Sequence, residues 1–142
     1  ECSRPGAAAV ALWTTSGLLP YDRGGAFARS LDACRRGALA LHEHLVEDPR
    51  VRPVLDPQLD IVVWAVEAAD PASSAGAARR LFEAAAARDL HLALAMVPPA
   101  IAGTAEPLAC LRACVMKPEH EDWLEPILDR LDAAASAIGL TT

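Results

Sequence analysis

The spacing of apolar residues changes along the chain and predicts helices in some segments and strands in others. Between Ala26 and Val46, apolar residues recur at steps of three and four, which is the period of one face of an α-helix. The residues of this stripe are Phe27, Leu31, Cys34, Ala38, Leu41 and Leu45. Asp48-Pro49 is expected to end the helix, because the residue before a proline avoids the helical conformation. A shorter helix is predicted over residues 6–18.

Four short apolar runs have the length and the residue types of β-strands. They cover residues 50–55, 60–66, 90–97 and 108–116. After Asp60, the run over 60–66 is apolar without a break, which is typical of a strand that is buried on both faces. Pro53 predicts an edge position for the run over 50–55, because proline cannot donate a hydrogen bond to a neighbouring strand.

Two further helices complete the predicted order of elements. Asp70-Pro71 is expected to open a helix, with Asp70 as the N-cap and Pro71 in the first turn. Pro118 is expected to start the last helix. The buried stripe of that helix is predicted to contain Leu124, Ile127, Leu128, Leu131 and Ile138. The predicted order is ααββαββα, a single α+β domain over residues 1–142 with a small, largely antiparallel sheet of about four strands.

The last predicted strand carries one charged side chain among apolar neighbours. Arg112 shares a strand face with Cys110 and Cys114, because alternate residues of a strand point to the same side. A guanidinium is costly to bury without a partner. Two interpretations stay open: Arg112 pairs with an acid of this domain, such as Glu67 or Asp60, or it binds a substrate carboxylate through two parallel hydrogen bonds. Both faces of the strand are apolar, so either helices cover both sides or another protein covers one.

Composition and charge limit the classes of function. The chain has 142 residues and a mass of 15.0 kDa, of which 53% are hydrophobic, and its mean hydropathy is +0.21. A net charge of -6 argues against binding to nucleic acid, which needs clustered Lys and Arg. The uncharged run over 90–105 is short and broken by prolines, so no membrane span is predicted. No signal peptide is recognised and the chain does not begin with Met, so we expect a piece of a cytoplasmic protein.

The cysteines and histidines do not form a recognisable metal or nucleophile motif. The cysteines are Cys2, Cys34, Cys110 and Cys114, without a CxxC pair. We predict reduced thiols, with a disulfide as the alternative. His42 and His44 lie two positions apart on a helix and point in different directions, so they are not expected to share a metal ion. His91 and His120 are predicted to be surface or hydrogen-bonded core residues. We therefore predict no metal site and no catalytic residue in this chain.

Several segments resemble, in order, the carboxyl end of one enzyme family. They are ECSRPGAAAVALW, GGAFARSLDACRRGALALHEHL, LDIVVWAV, and LRACVMKP followed by an amphipathic helix. This ordered set resembles the pyridoxal-phosphate (PLP)-dependent amino-acid decarboxylases, the group of glutamate, aromatic amino-acid, tyrosine and cysteine-sulfinate decarboxylases. The resemblance covers nearly all 142 residues and implies the carboxy-terminal small domain of the aspartate-aminotransferase type of fold. It also implies a missing amino-terminal PLP-binding domain, a linking helix over residues 1–20, and a homodimer.

The resemblance has consequences for individual residues. In that family a lysine that follows a histidine holds the cofactor, upstream of a serine-arginine pair that Ser3-Arg4 resembles. This chain has no His-Lys pair, and its only lysine is Lys117. The resemblance thus implies that PLP belongs to the full-length enzyme, that this chain binds no cofactor and that it is inactive alone.

Arg112 matches the arginine that holds the substrate carboxylate in glutamate decarboxylases, although Lys117-Pro118 replaces the Asn-Pro of that family. The complete enzyme would remove the α-carboxylate of an amino acid as CO2, with the cofactor withdrawing electrons. The alternative is a free-standing α+β module that binds a partner or a small ligand without catalysis. Arg112 would then form an ordinary ion pair.

Overall fold

A computed structural model describes residues 6–140, so Cys2, Ser3 and Arg4 lie outside the described residues. The elements in chain order are α1 (Ala7–Leu18), α2 (Ala26–Glu47), β1 (Val51–Leu55), β2 (Ile61–Val66), α3 (Pro71–Ala86), β3 (Ala93–Val97), α4 (Pro99–Ala102), β4 (Leu108–Cys114), a 3-10 helix (Pro118–His120) and α5 (Leu124–Ala137). The predicted α+β class is confirmed. The predicted order also holds, with α4 and the 3-10 helix as additions.

The four strands form one antiparallel sheet in the order β1-β2-β4-β3. Strand β1 lies at an edge, as Pro53 predicts, and it has an irregularity between Pro53 and Leu55. Strands β2 and β4 are central. Arg112 of β4 lies opposite Val63 of β2 on one side and opposite Ala93 of β3 on the other.

Three helices pack on only one face of the sheet, which we call the helix-covered face. Helices α2, α3 and α5 bury the side chains of Trp64 and Leu111 there, and both residues are fully enclosed. Burial of one large apolar side chain stabilises a fold by about 1.5–3 kcal/mol, so this layer is the main core. The other face, which we call the Arg112 face, has a smaller cluster that includes Val63 and Cys110. Among the described helices, only the short helix α4 contributes a buried residue to this cluster, Ala102.

The start of α3 follows from its first residues. The Asp70 carboxylate accepts hydrogen bonds from the backbone N–H groups of Ala72 and Ser73, at 3.0 and 2.9 Å, and Pro71 occupies the first turn. These bonds satisfy N–H groups that have no partner inside the helix. Because the Ser73 hydroxyl and these N–H groups donate to it, the pKa of Asp70 is lowered. The predicted N-cap is confirmed.

Two stretches differ from the prediction because of local backbone chemistry. The loop between β3 and β4 contains α4, where Pro99 fits the first helical turn and Gly103, with φ of 66°, ends the helix in the left-handed region. The last helix begins at Leu124 and not at Pro118, since a separate 3-10 turn intervenes. Pro126 is tolerated because the first N–H groups of a helix need no intrahelical partner.

Two strand boundaries and the burial of one residue in α2 also differ from the prediction. Strand β3 begins at Ala93 and not at residue 90, because Leu90 donates its N–H to the Ala85 carbonyl at the end of α3. Strand β4 ends at Cys114, two residues before the predicted end. Leu31, predicted to be buried, is 47% exposed. Helix α2 has 22 residues, about 33 Å, so its first turns extend beyond the core it covers.

Helix α1 has no buried residue. Its large apolar side chains, such as Leu12 and Trp13, are exposed, with Trp13 at 78%. Within residues 6–140, no helix combines the length and the apolarity that a bilayer crossing requires. Large apolar side chains are also exposed on the strands, at Leu55, Ile61, Leu94 and Met96, so exposed apolar surface lies on both α1 and the sheet.

Candidate functional site

Arg112 is held in the middle of a central strand. Strand β4 pairs on both sides, with β2 and with β3, so the backbone at this position is fixed by two ladders of hydrogen bonds. The side chain is exposed, although Cys110 on the same face is fully buried. The sequence thus places a planar cation on rigid scaffold, on the face that the three large helices leave open.

The side chain of Arg112 has no hydrogen bond or ion pair with any residue of the range 6–140. The acid at Glu67, one candidate partner, lies 3.2 Å from Arg52. Asp60, the other candidate, is joined to β4 through its backbone carbonyl, which accepts from the N–H of Val115 at 2.7 Å. The described residues therefore give no support to the interpretation of Arg112 as half of an internal ion pair. Its role in substrate binding stays a prediction.

Cys110, on the same strand face as Arg112, is not an activated nucleophile. Cys110 is fully buried, and burial raises its pKa despite the opposing charge of Arg52. Burial also raises the pKa of Cys34, and the nearby Asp60 carboxylate adds to that effect. Cys34, Cys110 and Cys114 are free thiols, of which only Cys114 is partly exposed. A raised pKa leaves little thiolate at neutral pH, so Cys110 acts as a small apolar residue in the sheet.

An ion-pair network that the sequence pattern does not predict joins the end of α2 to α5. The Arg50 side chain donates to both oxygens of the Asp48 carboxylate, from Nε at 2.8 and 3.0 Å and from Nη2 at 2.7 Å, and it also contacts Asp132. Burial alone would raise the pKa of Asp48, but the hydrogen bonds and charge of Arg50 lower it. Asp132 is 82 positions from Arg50 in sequence, so no local pattern could reveal the pair.

His44 joins this network at its edge. Its ring, Asp48 and Asp132 each place one potential ligand atom within 4.8 Å of the others. Both carboxylates already contact Arg50, so a divalent ion would have to compete with that guanidinium. The cluster is therefore explained as a structural network. His42 lies elsewhere, with Nε2 3.5 Å from the Asp56 carboxylate, so the two histidines are separated as predicted.

Lys117 and His120 lie near the 3-10 helix, in a groove beside α5. Lys117 is exposed and precedes Pro118 directly. His120 was predicted to be either on the surface or hydrogen-bonded in the core. That prediction was wrong, because Nδ1 of His120 is buried without a partner among the residues whose placement is described.

Comparison with known proteins identifies the fold but not a sequence family. No family model matches the chain, and no curated protein matches it. Among solved structures, Oryza sativa TDC with PLP and tryptamine superposes with a TM-score of 0.66 at 14% identity, over 78% of this chain and 23% of that chain. Catharanthus roseus tryptophan decarboxylase in complex with L-tryptophan gives a TM-score of 0.62 at 12% identity, over 78% of this chain and 22% of that chain.

A third structure extends the comparison beyond the aromatic decarboxylases. It is the glutamate decarboxylase domain of diaminobutyrate-pyruvate transaminase and L-2,4-diaminobutyrate decarboxylase from Vibrio parahaemolyticus. It superposes with a TM-score of 0.56 at 14% identity, over 75% of this chain and 22% of that chain. The chain thus has the α+β fold of a small domain found in PLP-dependent aromatic amino-acid and glutamate decarboxylases, and it spans about 22–23% of the length of the matched chains.

Proposed function

We propose that this chain is the carboxy-terminal small domain of a PLP-dependent amino-acid decarboxylase and that it closes the active site of that enzyme. The observation that carries the proposal is the shared fold, combined with an exposed, unpaired Arg112 among the described residues. The small share of each matched chain supports a larger protein with a cofactor domain upstream. The proposal includes residues 1–20 as the link to that domain, a homodimer and a cytoplasmic location.

Arg112 would bind a carboxylate of the substrate amino acid. A guanidinium offers two parallel N–H donors that match the two oxygens of a carboxylate, so it fixes the orientation of the group as well as its position. The central strand β4 supplies the rigidity that such positioning requires. Closure over the substrate would remove water and strengthen this charge-assisted contact. The reaction proposed for the complete enzyme is loss of the α-carboxylate as CO2.

This chain does not itself provide a site for PLP. Its one lysine, Lys117, is exposed, whereas a lysine that binds this cofactor needs a desolvated pocket. Lys117 lies in the groove beside α5, and Arg112 lies on the face of the sheet that α5 does not cover. The proposal therefore assigns the cofactor, which supplies the electron sink for decarboxylation, to the upstream domain.

The experiment that tests the proposal compares two proteins from the same gene. One is the complete product with any upstream domain, and the other is the chain of residues 1–142. With PLP and carboxyl-labelled aromatic or acidic amino acids, the complete product should release labelled CO2. The shorter chain should release none, and borohydride should fix no cofactor on Lys117 at micromolar PLP. A Lys117→Ala chain is the matched control for nonspecific labelling.

Two results would overturn the proposal. One is a borohydride-fixed adduct on Lys117 of the 142-residue chain that disappears in Lys117→Ala. The other is a complete gene product without a lysine-bearing domain, which would favour the free-standing binding module.

A further inference from the structure

A cavity of about 100 Å³ lies on the helix-covered face, on the opposite side of the sheet from Arg112. Its walls are mostly apolar and include Leu41 of α2, Ala113 of β4 and Leu131 of α5. Residues of the 3-10 helix and α5 line it together with the buried Trp64. A void of this size has more than the 10–15 Å³ or so that one water requires.

Two polar atoms belong to residues that line this cavity and lack partners. Trp64 is fully buried, yet its Nε1–H donates to no acceptor in residues 6–140, and Nδ1 of His120 is also without a partner there. A buried polar atom without a hydrogen bond destabilises a fold, so native structures rarely keep one without a reason. The indole group is a donor only, whereas an imidazole nitrogen donates or accepts according to its tautomer. The cavity therefore offers an apolar wall and a donor that an acceptor oxygen would satisfy.

The cavity has a route to solvent. An open groove of about 760 Å³ beside α5 shares Leu90, His91, His120 and Ile127 with the cavity walls. His91 is exposed and His120 is only partly buried, so these side chains stand between the groove and the interior. A small molecule could enter by this path through side-chain rotation, without separation of the helices from the sheet.

We propose that this cavity is a binding site for a small neutral organic molecule that has a compact apolar body and one carbonyl or hydroxyl oxygen. The oxygen accepts a hydrogen bond from Trp64, and the apolar body contacts Leu41, Ala113 and Leu131. Several waters are a poorer occupant, because each needs two to four polar partners and the walls supply few. The site is independent of the proposed decarboxylase role, since Arg112 lies on the other face. Its occupant would be an effector or a structural ligand and not the substrate.

The test uses cyclopentanone and cyclopentane as probes on the 142-residue chain. The two rings have nearly the same volume, but only cyclopentanone has an acceptor oxygen. The chain has three tryptophans, so the indole N–H region of its NMR spectrum should contain three signals, and Trp64→Phe identifies one. Cyclopentanone should shift the Trp64 indole signal and bind about 2- to 12-fold more tightly than cyclopentane, which is the range for one net hydrogen bond. In Trp64→Phe the ketone oxygen would lose its hydrogen bonds to water without gaining a partner, so this ratio should fall below 1.

A second pair of variants separates the cavity from the surrounding surface. Ala113→Leu places a larger side chain in the cavity and should abolish binding of both probes. Ala109→Leu adds the same side chain to the same side of β4 but outside the cavity, so binding should be unchanged. The proposal is overturned if Ala113→Leu and Ala109→Leu bind the two probes equally well, or if the Trp64 indole signal does not respond to cyclopentanone. It is also overturned if a water bound to the Trp64 N–H is not displaced by cyclopentanone. Should Ala113→Leu fail to fold, the affinity ratio in Trp64→Phe still decides.

Discussion

Arg52 and Glu67 form an ion pair, with 3.2 Å between Nε of Arg52 and the Glu67 carboxylate, next to the first strand pair of the sheet. The pair engages Glu67, one of the acids that the sequence offers as a partner for Arg112. Both side chains are about half exposed, so the pair contributes only about 0–1 kcal/mol to stability. The pair matters because the Glu67 carboxylate is bound to Arg52 and not to Arg112. The exposed Arg112 side chain therefore has no ion pair with a carboxylate of residues 6–140.

Asp48→Asn should weaken the link between α2 and α5. Asp48 and Arg50 have side chains only 8% and 11% exposed, and after loss of the Asp48 charge Asp132 is the one carboxylate of residues 6–140 that still pairs with Arg50. We expect about 1–3 kcal/mol of lost stability at pH 7, measured by urea unfolding. Asp129→Asn on α5 is the matched control. Asp129 is exposed, so its change should stay within about 0.5 kcal/mol.

The same variant should also change how stability depends on pH. The pKa of Asp48 in the folded chain is below its ordinary value of 3.8, so the unfolded chain binds this proton more readily. The stabilisation is present above that ordinary value and is lost as pH falls through the folded pKa. The stability of the unaltered chain and that of Asp48→Asn should therefore converge below pH 3.8. If the free energies of unfolding of the unaltered chain and of Asp48→Asn differ by the same amount at acid and neutral pH, the ion pair between Asp48 and Arg50 is contradicted.

The three described cysteines should differ in their rates of alkylation. Cys114 is partly exposed, whereas Cys34 and Cys110 are buried and have raised pKa values. In the folded chain, iodoacetamide should therefore modify Cys114 first, because the thiolate is the reactive form. Peptide mapping by mass spectrometry measures each site. Equal rates in the folded state, or faster modification of Cys110, would show that the sheet is not packed as described.

Helix α1 should make the chain associate with itself or bind hydrophobic dyes. It carries exposed apolar side chains and buries none of its residues, and exposed patches of this kind are normally interaction surfaces. Trp13→Glu should reduce both association and dye binding. Ala9→Glu is the matched control, because it adds the same charge to α1 but keeps the large apolar side chains. An unaltered chain that sediments as a monomer and binds no dye would argue against this prediction.

The sequence predicted those elements whose signals are local. Asp70-Pro71 marks the start of α3 because the cap contacts residues only two and three positions away, and Pro53 marks an edge because the missing donor is its own. The α5 stripe was recovered in part, since Leu131 is buried while Leu124 and Ile127 are only partly buried. These features depend on propensity and period, which a single chain displays directly.

The features that the sequence did not predict depend on distant contacts. The Arg50 network joins residues 82 positions apart, and the unpaired nitrogen of His120 belongs to the 3-10 helix, which packs against α2, an element distant in sequence. Leu31 fits the stripe of α2 but extends beyond the core, because the period of a helix does not indicate where its neighbours end. Arg112 was identified as a candidate from its unusual place in a strand. Whether an acid pairs with Arg112 depends on where side chains from other strands lie, and the sequence does not show that Glu67 pairs with Arg52 instead.

The most direct test of the central claim is the steady-state kinetics of Arg112→Lys in the complete protein, with Arg52→Lys on the same face as the matched control. Lysine keeps the charge but lacks the planar pair of donors, so loss of the carboxylate contact should cost about 2–4 kcal/mol, or roughly 30- to 1000-fold in kcat/KM. The melting temperature should not change, since Arg112 is exposed and has no partner within residues 6–140. Arg52→Lys should leave kcat/KM nearly intact. If Arg112→Lys instead lowers the melting temperature and leaves turnover per folded molecule intact, Arg112 is structural and the proposed substrate contact is wrong.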